Sequence, residues 1–328
     1  MNKNIYYIKE FGSEKAKDSF QAQIESIFDR NNFTPILYPR VNYLSRLFFL
    51  NRFIRSIPDG AVVLFIHPLY SRTNQLLLKL LLRKKCRPVC IVSDINSLRF
   101  HSSVEKETGY WKKLKYFIFQ NEKMKEWVEE RAGKKISVNI ELFDLLFDAP
   151  VTERKNSSQV VFAGNTEKCP FINQLHRVEN IQWMIYSASP VKNYSNVRSV
   201  NLKNELTDRQ PLVGSYGLIW EGDSITDISN FGGQYLKWVS PLKLSNYLLN
   251  YLPVITHKDA AIAEFVQQNH IGFCVSELHE IGEKIKAITE PVYATMLENC
   301  SRFSKKIAAG HYMQHAIDEI SKKIEQRN

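Results

Sequence analysis

Lys243 lies in a stretch whose residue types could bind a negatively charged ligand. Residues 232–256 read GGQYLKWVSPLKLSNYLLNYLPVIT. Ser240 is a good N-cap and Pro241 a good first helical residue, so a helix is predicted from here to about Asn250. The first turn of a helix has unpaired N–H groups and the positive end of the dipole, and both attract anions. A phosphate would therefore favour a lysine at this position, although a solvated lysine extending over the helix fits the spacing equally well.

A second turn could also approach an anion. Residues 160–172 read VVFAGNTEKCPFI and place Gly164 and Asn165 directly after a predicted strand, with Lys168 before a helix that begins near Pro170. Glycine lets backbone amides come close to a ligand, and asparagine tolerates a positive φ. The segment is not the G-x-G-x-x-G fingerprint, which disfavours NAD or FAD. An ordinary turn between strand and helix is the alternative.

His67 and Asp94 are the last residues of two predicted strands, and either side chain could remove a proton from a hydroxyl group. His67 ends AVVLFIH, and Asp94 ends PVCIVSD. Carboxyl ends of parallel strands are where ligand sites form in α/β sheets. Asp94 could instead cap the next segment, and His67 could be a hydrogen-bonded residue before Pro68 in a tight turn. Glu221 and Asp223, in WEGDS, are rival acids that could instead hold hydroxyl groups of a ligand.

Apolar runs alternate with amphipathic helical patterns along the whole chain, which indicates parallel, doubly wound sheets. Strands are predicted at 4–10, 34–39, 61–67, 88–94, 116–120, 160–164, 181–187, 216–222, 252–256 and 272–278. Helices are predicted at 13–31, 72–84 and 121–132, and the tail 304–328 forms two helices broken near Gly310. The polar segment 148–159 is the predicted linker, and at 328 residues the chain suits two domains, 1–150 and 151–328.

Segments from both halves resemble a group of bacterial GT-B glycosyltransferases. The group includes β-1,6-galactofuranosyltransferases and the glucosyltransferase that extends the glycan on serine-rich-repeat adhesins. The resemblance in the second half is carried by GLIWEGDS (217–224), residues 232–248, LPVIT and AAIAEFV (260–266). In the first half it is carried, in the same order, by 11–20, 62–70, 93–100, 121–130 and 141–147.

This resemblance implies two facing Rossmann-like domains with a cleft between them. The N-terminal domain would face the acceptor, the C-terminal domain would hold a nucleotide-diphosphate sugar, and the last helix is a candidate to pack back on the N-terminal domain. Donor-site residues implied in this way are Ser13, Gly164, Asn165, Lys168, Tyr216, Glu221, Asp223, Lys243, Leu244 and Ser245. Lys243 would pair with the diphosphate, and Leu244 and Ser245 would offer backbone amides. Asn246 stands where many GT-B enzymes have a ribose-binding glutamate, and Tyr251 where a glycine is usual.

The expected function is transfer of a hexose, glucose or galactofuranose by resemblance, from a UDP-sugar to a carbohydrate in surface glycan or glycoprotein assembly. Inversion is expected by resemblance. No Asp-x-Asp pair occurs, so we expect catalysis without a metal and without another cofactor. The alternative is a non-catalytic GT-B-like partner that binds sugar nucleotide or glycan and supports another transferase. A glycan, a glycoprotein or a lipid-linked sugar could be the acceptor, and relatives suggest a homo-oligomer.

Composition bears on the location of the protein and on the kinds of partner that it can bind. No signal peptide or membrane-length apolar run is found, so a cytoplasmic location is expected. The net charge of +10 implies anionic partners, but the basic residues are spread in short clusters, which disfavours nucleic acid. The five cysteines form no disulfide or zinc pattern. Residues 42–57, with Arg46, Arg52 and Arg55, could be a basic helix on the inner face of the membrane, or a core-packing helix with solvated arginines.

Overall fold

The chain divides into two compact units, each built on a parallel sheet. The computed structural model describes residues 5–9, 20–37, 43–69, 71–100, 102–149, 153–202 and 210–326. One unit is Met1–Ile140 together with Met313–Asn328, and the other is Glu141–Tyr312.

The first unit contains a six-stranded parallel sheet in the order β2-β1-β3-β4-β5-β6. Its strands are β1 (Ile5–Ile8), β2 (Thr34–Ile36), β3 (Val62–His67), β4 (Arg87–Val92), β5 (Tyr116–Phe119) and β6 (Ile136–Asn139). Its helices are α1 (Phe20–Arg30), α2 (Tyr43–Ser56), α3 (Arg72–Arg83), α4 (Asn96–Arg99), α5 (Val104–Trp111) and α6 (Glu122–Ala132). The central strands β3 and β4 are buried almost throughout, because an apolar run can occupy a sheet covered on both faces.

The second unit contains a six-stranded parallel sheet in the order β12-β11-β10-β7-β8-β9. Its strands are β7 (Gln159–Ala163), β8 (Gln182–Ser187), β9 (Val197–Asn201), β10 (Tyr216–Ile219), β11 (Val254–His257) and β12 (Gly272–Val275). Its helices are α7 (Phe231–Gln234), α8 (Leu242–Leu249), α9 (Ala263–Gln268), α10 (Ile281–Ala287) and α11 (Glu290–Ala309), with 3-10 turns at Thr166–Lys168, Pro170–Arg177, Tyr235–Lys237 and Leu278–Glu280. A final helix, α12 (His311–Glu325), begins in this unit and continues into the first.

Three local features lie near the points where the chain passes from one unit to the other. Gly310 adopts a left-handed φ of 79°, which ends α11 and starts α12, as the predicted break requires. Further along α12, the Lys323 Nζ donates to the Ser137 carbonyl of the first unit's own sheet at 2.8 Å. In the predicted linker, the guanidinium of Arg154 donates to the carbonyls of Leu212 and Asn250, so this residue is anchored to the second unit.

Most predicted strands are confirmed, with two differences. The strands β6 and β9 were not predicted, because both lie at sheet edges and lack a continuous apolar run. The predicted strand 216–222 ends at Ile219, after which Trp220 turns and its Nε1 donates to the Ser224 carbonyl at 2.8 Å. The predicted helix 13–31 is described only from Phe20 onward.

Candidate functional site

The strand order of the second sheet reverses between β7 and β10, and ligands bind at such switch points in open α/β sheets. The ladder between these strands reaches only as far as the pair Gly217 and Val161. Beyond it, the hydroxyl of Tyr247 accepts from the Ala163 N–H at 2.9 Å and donates to the Leu218 carbonyl at 3.0 Å. A side chain of α8 therefore joins the two strands where their backbones separate.

Tyr247 also fixes the position of Lys243, because residues four apart share one helix face. The Lys243 Nζ lies 2.8 Å from Glu221 Oε1 and 5.1 Å from the centroid of the Phe162 ring. The side chains of Lys243 and Glu221 are 13% and 25% exposed, so the ion pair is partly screened from water. The structure thus brings two of the predicted donor residues together at the carboxyl ends of β7 and β10.

The start of α8 differs from the prediction by one residue. Pro241, with φ −66° and ψ 141°, is the N-cap, and Ser240 precedes it as a buried residue. The prediction that Ser240 caps the helix is therefore wrong. The Leu244 N–H donates to the Pro241 carbonyl at 2.9 Å, which corrects the expectation that this amide is available to a ligand. Ser245 is 1% exposed and its Oγ has no hydrogen-bond partner within the described parts of the chain.

The turn after β7 also lies at this end of the sheet. Gly164 has a φ of 149°, and its N–H donates to the Tyr186 carbonyl at 3.0 Å. The Asn165 Oδ1 accepts from the Glu167 N–H at 2.9 Å and caps the short 3-10 turn that ends at the exposed Lys168. The Gly164 N–H and the Asn165 side chain thus form hydrogen bonds within the protein, and Lys168 lies at the surface.

The loop after β10 presents Glu221 in a defined position. Gly222 has a φ of 100°, and a Cβ there would lie 2.5 Å from the Asn230 Oδ1. The Gly222 carbonyl accepts from the Phe171 N–H at 3.2 Å, while Asp223 is exposed beside it. The Cys169 thiol donates to Glu221 Oε2 at 3.5 Å, and burial raises the pKa of this thiol to about 12. A protonated thiol and Lys243 therefore hold the two oxygens of one carboxylate.

Tyr216 does not join the other predicted donor residues. It is the first residue of β10, at the opposite end of the strand from Glu221, and it is fully buried. Its ring packs against Phe273 and Tyr293, and its hydroxyl donates to Asn156 Oδ1 at 2.7 Å. Ser13, the remaining predicted donor residue, lies outside the described residues.

The two departures from the GT-B pattern have clear local structures. Asn246 is buried, and its Oδ1 accepts from the Asn250 Nδ2 at 3.1 Å, so it is engaged within the helix. Tyr251 has a φ of 55°, the left-handed conformation that glycine adopts most easily. The turn after α8 thus retains a backbone suited to glycine although the residue is a tyrosine.

In the first unit, His67 ends β3, the strand that pairs with β1 where that sheet reverses its order. His67 is 3% exposed, and its Nε2 lies 2.9 Å from Glu107 Oε1. The hydroxyl of Tyr110 contacts the other ring nitrogen, Nδ1. The Glu107 carboxylate also accepts from the N–H groups of Asn96 and Ser97, each at 2.8 Å.

The protonation states of these three groups follow from their surroundings. Burial lowers the pKa of His67, and the hydrogen bond and charge of Glu107 oppose this only in part. Burial raises the pKa of Glu107, but the hydrogen bonds from His67 and Ser97 outweigh it and leave the pKa lowered. Burial raises the pKa of Tyr110 well above its ordinary value. We therefore assign an ionised Glu107 that accepts from His67 Nε2–H, and a Tyr110 hydroxyl that donates to Nδ1.

Asp94 follows β4 and is occupied locally. Its Oδ1 accepts from the Ile95 N–H at 2.9 Å, and its Oδ2 pairs with the Arg99 guanidinium. The carboxylate therefore caps the segment that leads into α4, one of the two roles considered for it.

Sequence reasoning missed Glu107, Tyr110 and Tyr247. Glu107 and Tyr110 are three residues apart on α5, so a helix pattern would place them on one face, but nothing local points that face towards His67. Tyr247 could have been found from its spacing of four residues from Lys243. In the described parts of the chain, no group of three His, Cys, Asp or Glu side chains could hold a metal, and no helix is long and apolar enough to cross a membrane.

Comparisons with known proteins agree with this architecture. Residues 3–141 match the N-terminal domain and residues 160–320 the C-terminal domain of the family described as Glucosyltransferase 3-like. The chain is 28% identical over 284 residues to the β-1,6-galactofuranosyltransferase WbbI of Escherichia coli K12, covering 83% of this chain and 82% of that protein. It is 22% identical over 281 residues to glucosyltransferase 3 of Streptococcus parasanguinis, covering 82% and 81%.

The fold is also that of a solved protein. HepE of Anabaena, solved in complex with UDP, superposes with a TM-score of 0.61 at 8% identity, over 98% of this chain and 100% of that one. The predicted class, two Rossmann-like domains of the GT-B fold, is thus confirmed. With both domains of one family matched along nearly its whole length, the chain belongs to the glucosyltransferase 3-like family of glycosyltransferases.

Proposed function

We propose that this protein transfers a hexosyl group from a UDP-sugar to a hydroxyl of a carbohydrate acceptor in surface glycan or glycoprotein assembly. Glucose and galactofuranose are the proposed sugars, because the curated relatives are named a glucosyltransferase and a galactofuranosyltransferase. A UDP donor is supported by the likeness to HepE, which was solved with UDP and with UDP-glucose.

The observation that carries the proposal is the position of Lys243 at the switch point of the second sheet. Lys243 stands in the first turn of α8, and Tyr247 holds that helix over the separated ends of β7 and β10. In this structure the lysine pairs with the Glu221 carboxylate at 2.8 Å. We propose that the donor diphosphate replaces this carboxylate, after which Glu221 can accept hydrogen bonds from ribose or sugar hydroxyls.

The chemistry requires a leaving group stabilised as negative charge develops. The acceptor oxygen forms a bond to the anomeric carbon, the bond from that carbon to the diphosphate oxygen breaks, and UDP leaves with the electron pair. Lys243 and the start of α8 would stabilise the departing diphosphate, so we propose transfer with inversion and without a metal. Unchanged turnover in EDTA is the expected result, whereas a loss restored by magnesium or manganese would contradict this part.

The acceptor hydroxyl must lose its proton, and we propose His67 as the base. Its pKa is lowered, so the imidazole is neutral near neutral pH, and Glu107 orients the ring through Nε2. An acceptor hydroxyl would take the place of the Tyr110 hydroxyl at Nδ1. Asp94 is less suited to this role because Arg99 and the Ile95 N–H already hold its oxygens.

Ligand binding tests the donor site directly. We expect UDP to raise the melting temperature of the full chain, and NAD and ATP to leave it nearly unchanged. Lys243→Ala should weaken UDP binding at least about tenfold, since a hydrogen bond to a charged group contributes about 1.5–3 kcal/mol. Lys286→Ala is the matched control, because Lys286 is an exposed lysine paired with Glu283 on α10.

Two results would separate the alternatives. If UDP binds equally to the wild type and Lys243→Ala, the donor site is wrongly placed. If a UDP-sugar binds but no UDP is released with any glycan acceptor, the chain acts as the non-catalytic partner considered from its sequence.

A further inference from the structure

The first unit contains a cavity of about 610 Å³ beside His67. It lies between α3 and α5 and is entirely within that unit. Its volume falls in the range of small-molecule sites, about 300–1,000 Å³. The cavity is not part of the proposed donor site. The residues that line it indicate which ligand it can bind.

The inner wall of the cavity is apolar. Pro68 and Leu69 follow β3, and Leu78 and Leu82 project from α3, one turn apart. Leu69 and Leu78 are nearly buried, at 9% and 5% exposure. A hydrocarbon chain that covers such a wall removes apolar surface from water, which favours binding of an apolar chain.

Three lysines stand around the same cavity. Lys79 lies on α3, Lys106 on α5 and Lys113 just after α5, and all three are exposed. None of them forms an ion pair with another described residue. The carboxylate of Glu107 also lines the cavity, but its oxygens already accept from His67, Asn96 and Ser97. The net charge of the Lys and Glu side chains that line the cavity is therefore positive.

The charge of the surrounding segment has the same sign. Residues 43–115 contain fourteen Lys and Arg residues and four Asp and Glu residues, a difference of +10 that equals the formal net charge of the whole chain. The other residues are thus neutral in sum. Although basic residues occur throughout the chain, the excess positive charge lies in this segment of the first unit, and Lys79, Lys106 and Lys113 are the members of it that line the cavity.

We infer that this cavity binds an amphiphilic anion, a hydrocarbon chain joined to a phosphate, with the chain against the four apolar residues and the phosphate among the three lysines. A neutral sugar would leave the lysines without a partner, and a free phosphate would leave the apolar wall exposed to water. His67 lines the cavity, so the headgroup would lie beside the proposed base. That such a lipid phosphate carries the acceptor sugar rests on the proposed function, whereas its binding does not.

The test uses dodecyl phosphate with the full chain, below its micelle concentration and without a donor, followed by titration calorimetry. Dodecyl maltoside supplies the chain without the charge, and inorganic phosphate supplies the charge without the chain. We expect dodecyl phosphate to bind at least about tenfold tighter than either, because only it uses both parts of the cavity. Equal binding of dodecyl phosphate and inorganic phosphate would overturn the inference.

Matched variants locate the site. Lys113→Glu should weaken binding about tenfold, whereas Lys112→Glu, an exposed neighbour that does not line the cavity, should change it less than about twofold. Gly109 lines the cavity, and a Cβ there would meet no atom within 4 Å, so Gly109→Phe can fill the space without a backbone clash. We expect Gly109→Phe to abolish binding and Gly109→Ala to retain it.

Equal losses in the two lysine variants would show attraction to the general charge and would refute the cavity as the site. Unchanged binding in Gly109→Phe would refute it as well. Flotation with phosphatidylglycerol vesicles then identifies the source of the phosphate. Co-flotation of the wild type that is lost in Gly109→Phe indicates a membrane lipid. Binding of monomeric dodecyl phosphate without co-flotation indicates a dispersed amphiphile. Because UDP binding is measured separately through Lys243→Ala, failure of either proposal leaves the other standing.

Discussion

Tyr247→Phe removes one oxygen atom from the place where β7 and β10 separate. That hydroxyl accepts from the Ala163 N–H at 2.9 Å and donates to the Leu218 carbonyl at 3.0 Å, and Tyr247 is fully buried. The phenylalanine ring fits the same space, so the change leaves two backbone groups without a partner in a dry environment. Each costs about 1–3 kcal/mol, and we expect the free energy of unfolding to fall by about 3 kcal/mol.

Tyr216→Phe is the matched control for this variant. Tyr216 is equally buried and lies in β10, one of the two strands that Tyr247 joins, but its hydroxyl donates to the half-buried side chain of Asn156 at 2.7 Å. Because Asn156 is half-buried, water can replace the lost hydroxyl at its Oδ1, so a loss of about 1 kcal/mol is expected. Both variants remove one tyrosine hydroxyl. They differ only in the hydrogen-bond partners of that hydroxyl, which are two backbone groups for Tyr247 and one side chain for Tyr216.

Urea unfolding followed by tryptophan fluorescence measures both losses, provided that the slope m is unchanged. UDP titration adds a second readout, because Tyr247 lies one turn after Lys243 on α8. We expect Tyr247→Phe to weaken UDP binding several-fold and Tyr216→Phe to leave it unchanged. A loss of stability no larger than that of Tyr216→Phe would refute the role of the Tyr247 hydroxyl as the link between the strands.

Three further predictions concern the same sites. Gly222→Ala should lower the free energy of unfolding by about 2 kcal/mol, measured with urea, because its φ is 100° and the new Cβ would lie 2.5 Å from Asn230 Oδ1. Burial lowers the pKa of His67 in the folded state from its ordinary value of 6.5, so the unfolded chain binds this proton first and stability falls as the pH drops below 6.5. His67→Gln should therefore lose less stability than the wild type between about pH 7 and about pH 5. Glu221→Gln should raise the affinity for pyrophosphate about threefold to tenfold in calorimetry, because the carboxylate that pairs with Lys243 at 2.8 Å no longer competes with the ligand, and unchanged affinity would contradict the exchange of partners.

The strands that are buried on both faces of a sheet could be predicted, because such strands appear in the sequence as continuous apolar runs. β3 and β4 are covered on both faces and read as apolar runs, whereas β6 and β9 have few buried residues and no such run. The start of α8 was predicted to within one residue, since both Ser240 and Pro241 suit a helix start and only the backbone angles decide between them. Edge strands and exact caps depend on neighbours that are distant in the sequence.

Single residues of the candidate site could be identified from the sequence, but their contacts could not. Lys243 was singled out because it stands in a first helical turn, and His67 because it ends a strand of a parallel sheet, although each position also fits a purely structural role. The pairs that they form were not predicted, although Glu221 itself was, because the contact between His67 and Glu107 joins residues 40 apart, and that between Lys243 and Glu221 joins residues 22 apart. Local spacing contains no information about such pairs, which depend on how helices and loops cross the ends of the strands.

Both recognised residues turn out to have an internal partner of the chemical kind expected of a ligand. Lys243 was expected to face an anion, and it contacts the Glu221 carboxylate. The base nitrogen of His67 was expected to face a hydroxyl, and it contacts the Tyr110 hydroxyl. An unpaired lysine or imidazole in a partly dry pocket would cost free energy, so the chain supplies substitutes that a ligand can exchange with little change in the number of hydrogen bonds. Binding affinity then measures how much better a diphosphate or an acceptor hydroxyl is than these internal groups.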